Sequence, residues 1–155
     1  MLYNLASRIR GDAVLKYIKS TDSHLDIGVG NGYLLEKSPA IYKAYVYTHA
    51  EDNLPKIKTE RFSIITMVAV FEHLLDTKKV LYDCIRLLTE HGKIIITTPT
   101  ILGHILTPLV SYYDSIEHRM VVTKAYMQSI VPNDCIMTHK IFEFGLNQIF
   151  TIRRR

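Results

Sequence analysis

Leu25-Asp26-Ile27-Gly28-Val29-Gly30-Asn31-Gly32 is the stretch on which the reading of this chain turns. An apolar run carrying an acid meets three glycines at alternate positions, and Tyr33-Leu34-Leu35 then opens a helix-like pattern. That order describes a buried strand, a tight turn and a helix. Glycine permits backbone angles closed to other residues and lets a ligand lie against the main chain. The first amides of a following helix are free to receive polar groups. A dinucleotide fingerprint, G-x-G-x-x-G, needs a glycine at position 33, where Tyr33 stands. The spacing here is G-x-G-x-G, with an acid two residues ahead of the first glycine.

Two more blocks lie downstream. Arg61-Phe62-Ser63-Ile64-Ile65-Thr66-Met67-Val68-Ala69-Val70-Phe71-Glu72-His73-Leu74 is an apolar strand running into a Glu-His-Leu turn. After a helical pattern, Glu90-His91-Gly92-Lys93-Ile94-Ile95-Ile96-Thr97-Thr98-Pro99 supplies a glycine, a strand and a Thr-Thr-Pro stop. Together with the glycine loop, these blocks resemble, in kind and in order, those of the class I S-adenosylmethionine (SAM) dependent methyltransferases, and Glu143-Phe144-Gly145-Leu146-Asn147-Gln148 resembles the end of a group of small prokaryotic methyltransferase-11/23-like proteins. The resemblance covers most of residues 20 to 100. It implies an α/β, Rossmann-like fold: a mostly parallel central sheet, helices on both faces, and an antiparallel C-terminal hairpin.

Composition fits such a fold. The chain has 155 residues, 48% of them apolar and 22% charged, which describes an ordinary globular protein with a substantial core. No apolar run approaches the roughly 20 residues needed to span a bilayer, and residues 1–10 lack a signal-peptide core. Cys84 and Cys135 stand far apart without C-x-x-C spacing, and the histidines are scattered. Neither zinc nor a disulfide framework is expected, and a reducing cytoplasm is the expected compartment. The net charge of +4 owes part to Arg153-Arg154-Arg155, read as a solvated end. A contact of this basic end with nucleic acid or anionic lipid is the lesser alternative, and without aromatic-basic interleaving there is no clear nucleic-acid-binding surface.

Residues 1–155 read as one domain. Residues 1–20 are helical, with Gly11-Asp12 as an interruption and Asp12 capping a second helix. Residues 24–99 form the cofactor-binding core: strands at 24–27, 44–48, 62–68 and 93–98, a short helix at 33–37, and a helix over 78–89. Asp76 caps that last helix and Gly92 ends it. Residues 100–120 are a partly helical, lid-like variable segment. In residues 121–155, Thr123 caps a helix bearing Tyr126, Met127 and Ile130. The strands at 135–144 and 148–152 form a hairpin around Gly145-Leu146-Asn147.

The interval after the glycines is shorter than the resemblance implies. Between Gly32 and Leu54-Pro55 one strand and part of a helix fit, where the family places two strands and two helices. Two placements are open for Glu51 and Asp52: the tip of strand two, or an adenine-side loop after strand three. We take the first, with the sheet truncated at its strand 2/3 edge. That leaves Tyr42, Tyr45, Val46 and Tyr47 near an exposed edge, and a homodimer is expected there, against which Lys43 argues.

The resemblance implies SAM as cofactor and S-adenosylhomocysteine (SAH) as product. It implies Asp26, Gly28, Gly30, Asn31, Gly32, Glu51, Asp52, Ala69 and Val70 as cofactor-binding residues, and no metal. Catalytic candidates are His73, at the carboxyl end of a central strand where open α/β sheets bind ligands, and His118, in Glu117-His118-Arg119. A neutral imidazole accepts a proton near neutral pH, though a lone histidine more often serves packing. The resemblance implies that His104, Tyr112 and Tyr113 fall in the stretch that recognises the acceptor, although each taken singly reads better as packing. The expected function is methyl transfer to a small-molecule or cell-envelope precursor acceptor. The alternative is a methyltransferase fold kept as an inactive binding or scaffold module. An NAD-linked dehydrogenase is disfavoured by Tyr33.

Overall fold

The computed structural model describes residues 2–47, 49–110 and 119–155. The strand leading into the glycines, β1 (Ser23–Ile27), lies between β2 (Tyr42–Val46) and β3 (Phe62–Val68), parallel to both. Next to β3 runs β4 (Leu88–Pro99), also parallel. The last two strands, β5 (Cys135–Phe142) and β6 (Asn147–Arg154), form an antiparallel hairpin whose β6 arm pairs antiparallel with β4. The order across the sheet is β2-β1-β3-β4-β6-β5.

Ile64, Ile65, Met67 and Ile94 to Ile96 run apolar without alternation because both faces of the sheet are covered. On one face, α4 (Thr77–Leu87) and α6 (Lys124–Ile130) bury Leu81, Cys84, Leu87 and Met127 against Leu25, Ile27 and Met67. On the other, α1 (Leu2–Leu15) and α2 (Tyr33–Lys37) bury Val14 and Leu34 against Ile64, Ile95 and Ile149. The two side-chain caps are as predicted. Asp76 accepts from the Lys79 amide at 2.9 Å and Thr123 from the Tyr126 amide at 3.1 Å.

Between β2 and β3 the described residues form α3 (Ala50–Asn53) and a 3-10 turn at Leu54–Lys56, and no strand. The Arg86 guanidinium on α4 pins this link, donating to the Leu54 and Ile57 carbonyls at 3.0 and 2.9 Å. Among the described residues β2 is therefore an outer strand of the sheet.

Four expectations are corrected. The first helix runs unbroken through Gly11 and Asp12 and stops at Leu15. Gly11 serves packing, since a Cβ there would come within 2.9 Å of the Tyr33 ring, and Asp12 accepts the Tyr33 hydroxyl at 2.7 Å instead of capping. The second strand begins at Tyr42, two residues earlier than predicted. Gly92 does not end a helix: α4 gives way to β4 at Leu88, and Gly92 lies inside β4 where a Cβ would approach the Phe62 carbonyl to 2.9 Å. The register between β3 and β4 shifts there, between Phe62 and Ile64. Finally, the terminal arginines are not a free tail. Arg153 and Arg154 belong to β6, and Arg154 donates to the Ile85 carbonyl at 2.8 Å. The variable segment does begin as a helix, α5 (Ile101–Val110).

Candidate functional site

Three left-handed glycines turn the chain out of β1: Gly28 at φ 73°, Gly30 at 53° and Gly32 at 79°. Their surroundings differ. A Cβ on Gly28 would overlap the Val70 Cγ2 methyl, whereas one on Gly30 would meet only the Gly28 carbonyl at 3.9 Å, and one on Gly32 would meet nothing within 4 Å. Gly28 is thus held against the turn that follows β3, while Gly30 and Gly32 border open space. The loop is tied down by its own amides. Gly28 donates to the Val46 carbonyl and Gly32 to the Val29 carbonyl, both at 2.8 Å, and the Asn31 side chain accepts from the Tyr33 amide at 3.2 Å.

Facing it, the chain leaves β3 through Ala69, a non-glycine residue at φ 54° whose amide donates to the Thr97 carbonyl at 3.0 Å. Such a conformation costs on the order of 1–3 kcal/mol and persists where the surroundings impose it. Here it carries Val70 across to Gly28 and leads into the 3-10 turn Phe71–His73.

At the carboxyl ends of β1, β2 and β3 lies a cavity of about 370 Å³, within the range of small-molecule sites. Gly28 and Val70 form part of its wall, and His49, Glu51, His73 and Arg119 supply its polar lining. Glu51 stands on α3, where its carboxylate accepts from the Leu75 amide at 2.9 Å and its main-chain carbonyl accepts from the Lys79 ammonium. The carboxylate thereby braces the β2 side of the cavity against the segment that follows β3. Asp52, one residue on, is exposed and does not line the cavity.

Asp26 lies behind the loop, 2% exposed. Its Oδ1 accepts from the Thr66 hydroxyl at 2.6 Å, across the β1–β3 register pair. Thr66 Oγ1 is in turn 2.8 Å from His24 Nε2, and His24 Nδ1 is 2.9 Å from Ser38 Oγ. Burial pushes the Asp26 carboxyl up to about 7, opposed by the Thr66 hydrogen bond. Burial, with Lys43 adding to it and Asp22 opposing, lowers His24 to about 4, so the ring is neutral at physiological pH.

Among the sequence-derived candidates the structure brings Gly28, Glu51, Val70 and His73 to one cavity. Gly30, Asn31, Gly32 and Ala69 belong to the loops beside it, and Asp26 lies within β1, buried behind the glycine loop. His104 sits on α5 and does not line the cavity. His118, Tyr112 and Tyr113 lie outside the described residues. Three participants escaped the sequence reading. His49 stands at φ 52° ahead of α3, Arg119 donates its amide to the Glu72 carbonyl at 3.0 Å, and His24 belongs to the buried chain. Nothing local marked them, because each acquires its place through strand pairing or loop return. Among the described residues no group of three His, Cys, Asp or Glu side chains could hold a metal.

The architecture recurs among solved structures. A SAM-dependent methyltransferase from Archaeoglobus fulgidus matches with a TM-score of 0.75 at 14% identity, over 96% of this chain and 94% of that one. The plantazolicin methyltransferase BamL, in complex with a triazolic desmethylPZN analog and SAH, matches at 0.72 and 11% identity, over 95% and 85%. The small RNA methyltransferase HEN1 matches at 0.70 and 13% identity, over 96% of this chain and 26% of that one. No protein-family model and no curated protein sequence matches. The chain has the class I SAM-dependent methyltransferase fold, and at these identities the likeness establishes the fold alone.

Proposed function

We propose that this chain binds SAM in the cavity at the ends of β1, β2 and β3 and transfers its methyl group to a small-molecule or cell-envelope precursor acceptor. The observation that carries the reading is the glycine loop, whose left-handed Gly30 and Gly32 border open space where a side chain would otherwise stand. The residues present fit the cofactor. An acid, Asp26, lies behind the loop to meet an ammonium group, directly or through the turn's amides. Glu51 faces the cavity from the β2 side, where ribose hydroxyls would find an acceptor. Val70 lines the cavity on what would be the adenosyl side, and Ala69 stands just ahead of it.

SAM, when bound, supplies a methyl group on a sulfonium centre open to in-line displacement. Much of such catalysis is positioning, and the strained Ala69 and the braced Glu51 make the walls stiff. The acceptor loses a proton as its new bond to carbon forms. His73 lines the cavity and is placed to take that proton, with His118 the second candidate. Arg119 adds a cation to the same wall, suited to an acceptor bearing a carboxylate or phosphate. Both cysteines are buried and unpaired, which suits a reducing, cytoplasmic setting, and no described helix is long and apolar enough to cross a membrane.

A second reading, a binding or scaffold module without transferase activity, is favoured by one observation. One oxygen of Glu51 is already engaged by the Leu75 amide, which leaves less of the carboxylate for a ribose. Incubation with methyl-labelled SAM and a panel of small-molecule acceptors separates the two. Label transferred to any acceptor removes the scaffold reading, whereas binding of SAM without transfer to any of them supports it.

A further inference from the structure

The hydrogen bonds behind the glycine loop form one directed chain. Thr66 has a single hydroxyl proton and gives it to Asp26 Oδ1. Its oxygen can then only accept from His24, so the ring carries its proton on Nε2, and Nδ1 must accept from the Ser38 hydroxyl. Ser38 Oγ receives the Ala40 amide at 3.4 Å. A charged Asp26 thus fixes every proton along the line, from the end of α2 through β1 to β3. His24, Thr66 and Asp26 are 0, 0 and 2% exposed, and Ser38 is 4% exposed.

We propose that Ser38, His24 and Thr66 are positioning residues that aim and stabilise the Asp26 carboxylate behind the glycine loop, making the loop's hold on a cationic ligand group dependent on pH. That Asp26 meets the ammonium group of SAM rests on the function proposed above; the chain itself does not. A carboxylate this deeply buried holds its charge poorly. Thr66 offers it a hydroxyl, and His24, neutral in the fold, orients that hydroxyl without adding a charge. The neighbouring elements leave this arrangement little altered. From β2, Lys43 stands in register with His24 and opposes a second proton on the ring, and Asp22, ahead of β1, favours one. On this face α1 and α2 offer apolar Val14 and Leu34, and the chain after α1 offers Ile18. No charge from them acts on Asp26, where burial and the Thr66 bond are the two influences.

The test uses the full chain in three forms: wild type, Thr66→Val and Thr66→Ser. In wild type at pH 8, ring-nitrogen NMR should show His24 as the Nε2–H tautomer, and an Nδ1–H tautomer overturns the chain. In Thr66→Val the Asp26 carboxyl, followed by carbon NMR without ligand, should titrate about one pH unit higher, the equivalent of one hydrogen bond. Thr66→Ser should restore it. SAH affinity should follow the same titration. Relative to wild type it should be about tenfold weaker in Thr66→Val below the two midpoints and equal well above them. A loss of the same factor at every pH would mean a merely structural role and overturns the proposal. Absence of SAH binding by wild type at any pH overturns the cofactor reading instead, and the NMR measurements then still decide the chain. Should Thr66→Val fail to fold, the wild-type tautomer and the Thr66→Ser titration decide it.

Discussion

Gly28 has no room for a Cβ because the Val70 Cγ2 methyl already occupies the place. This contact locks the turn leaving β1 to the turn leaving β3, and so fixes the two walls between which the proposed ligand lies. It also separates the glycines into two kinds: all three hold a left-handed backbone, but only Gly28 is in addition hemmed in by a neighbour, while Gly30 and Gly32 border open space.

Gly28→Ala is therefore expected to destabilise the fold. Overpacking contributes roughly 1–3 kcal/mol, and the left-handed backbone about 1–2 more. Urea denaturation measures this directly, and unchanged stability would mean that Val70 yields freely.

Gly30→Val is expected to behave differently. Its Cβ meets only the Gly28 carbonyl, at 3.9 Å, so the protein should fold at a cost of about 1–3 kcal/mol for the strained backbone. SAM binding should be abolished, because the branched side chain fills the space left for the ligand. If affinity survives in a folded variant, the glycine loop is not the site.

Glu51→Ala is expected to weaken SAM binding by about 1–3 kcal/mol, the range for hydrogen bonds to a charged group. It should also free the Leu75 amide, loosening the cavity's far wall. Unchanged affinity by calorimetry would assign Glu51 to bracing alone.

The pH dependence of stability should show two opposed slopes. His24 has its folded value lowered from 6.5 to about 4. Its contribution is fully present above 6.5 and lost as pH falls toward 4. Asp26 is raised from 3.8 to about 7, so its contribution is present below 3.8 and lost as pH rises toward 7. Between about 4 and 6.5 the unfolded chain holds a proton on His24 and the folded chain one on Asp26, and the two slopes nearly cancel. Asp26→Asn should unmask the His24 slope, with stability rising by about 3 kcal/mol from pH 4 to 6.5. A profile parallel to wild type would contradict these assignments.

How far the sequence could be read follows from the range of each cause. The glycine loop, the Asp76 and Thr123 caps and the closing hairpin are set by residues close in sequence, and all were legible. Gly11 and Gly92 were misread as a break and a stop. What each one accommodates, the Tyr33 ring or the Phe62 carbonyl, lies 20 or more residues away in sequence. The His24–Thr66–Asp26 chain depends on the β1–β3 register, which no local pattern specifies. Arg153 and Arg154 looked like a solvated end because strand partners, β4 and β5, are needed to make them part of the sheet.

The outer strand invites an assembly prediction. Ile41, Tyr42, Tyr45 and Tyr47 are exposed along β2, at 83, 48, 62 and 63%. A row of unpaired backbone groups flanked by apolar side chains is usually covered or paired. A homodimer through this edge is expected, and light scattering at tens of micromolar would report twice the 17.9 kDa chain mass. A monomer mass would mean that Lys43 suffices to keep the edge apart.

The most direct test of the account is isothermal calorimetry of the wild-type chain with SAM and with SAH at pH 8, where Asp26 is charged. One saturable site for each is the predicted result, lost in Gly30→Val. Binding of neither at millimolar ligand to a folded protein would contradict the assignment of a SAM site to this cavity.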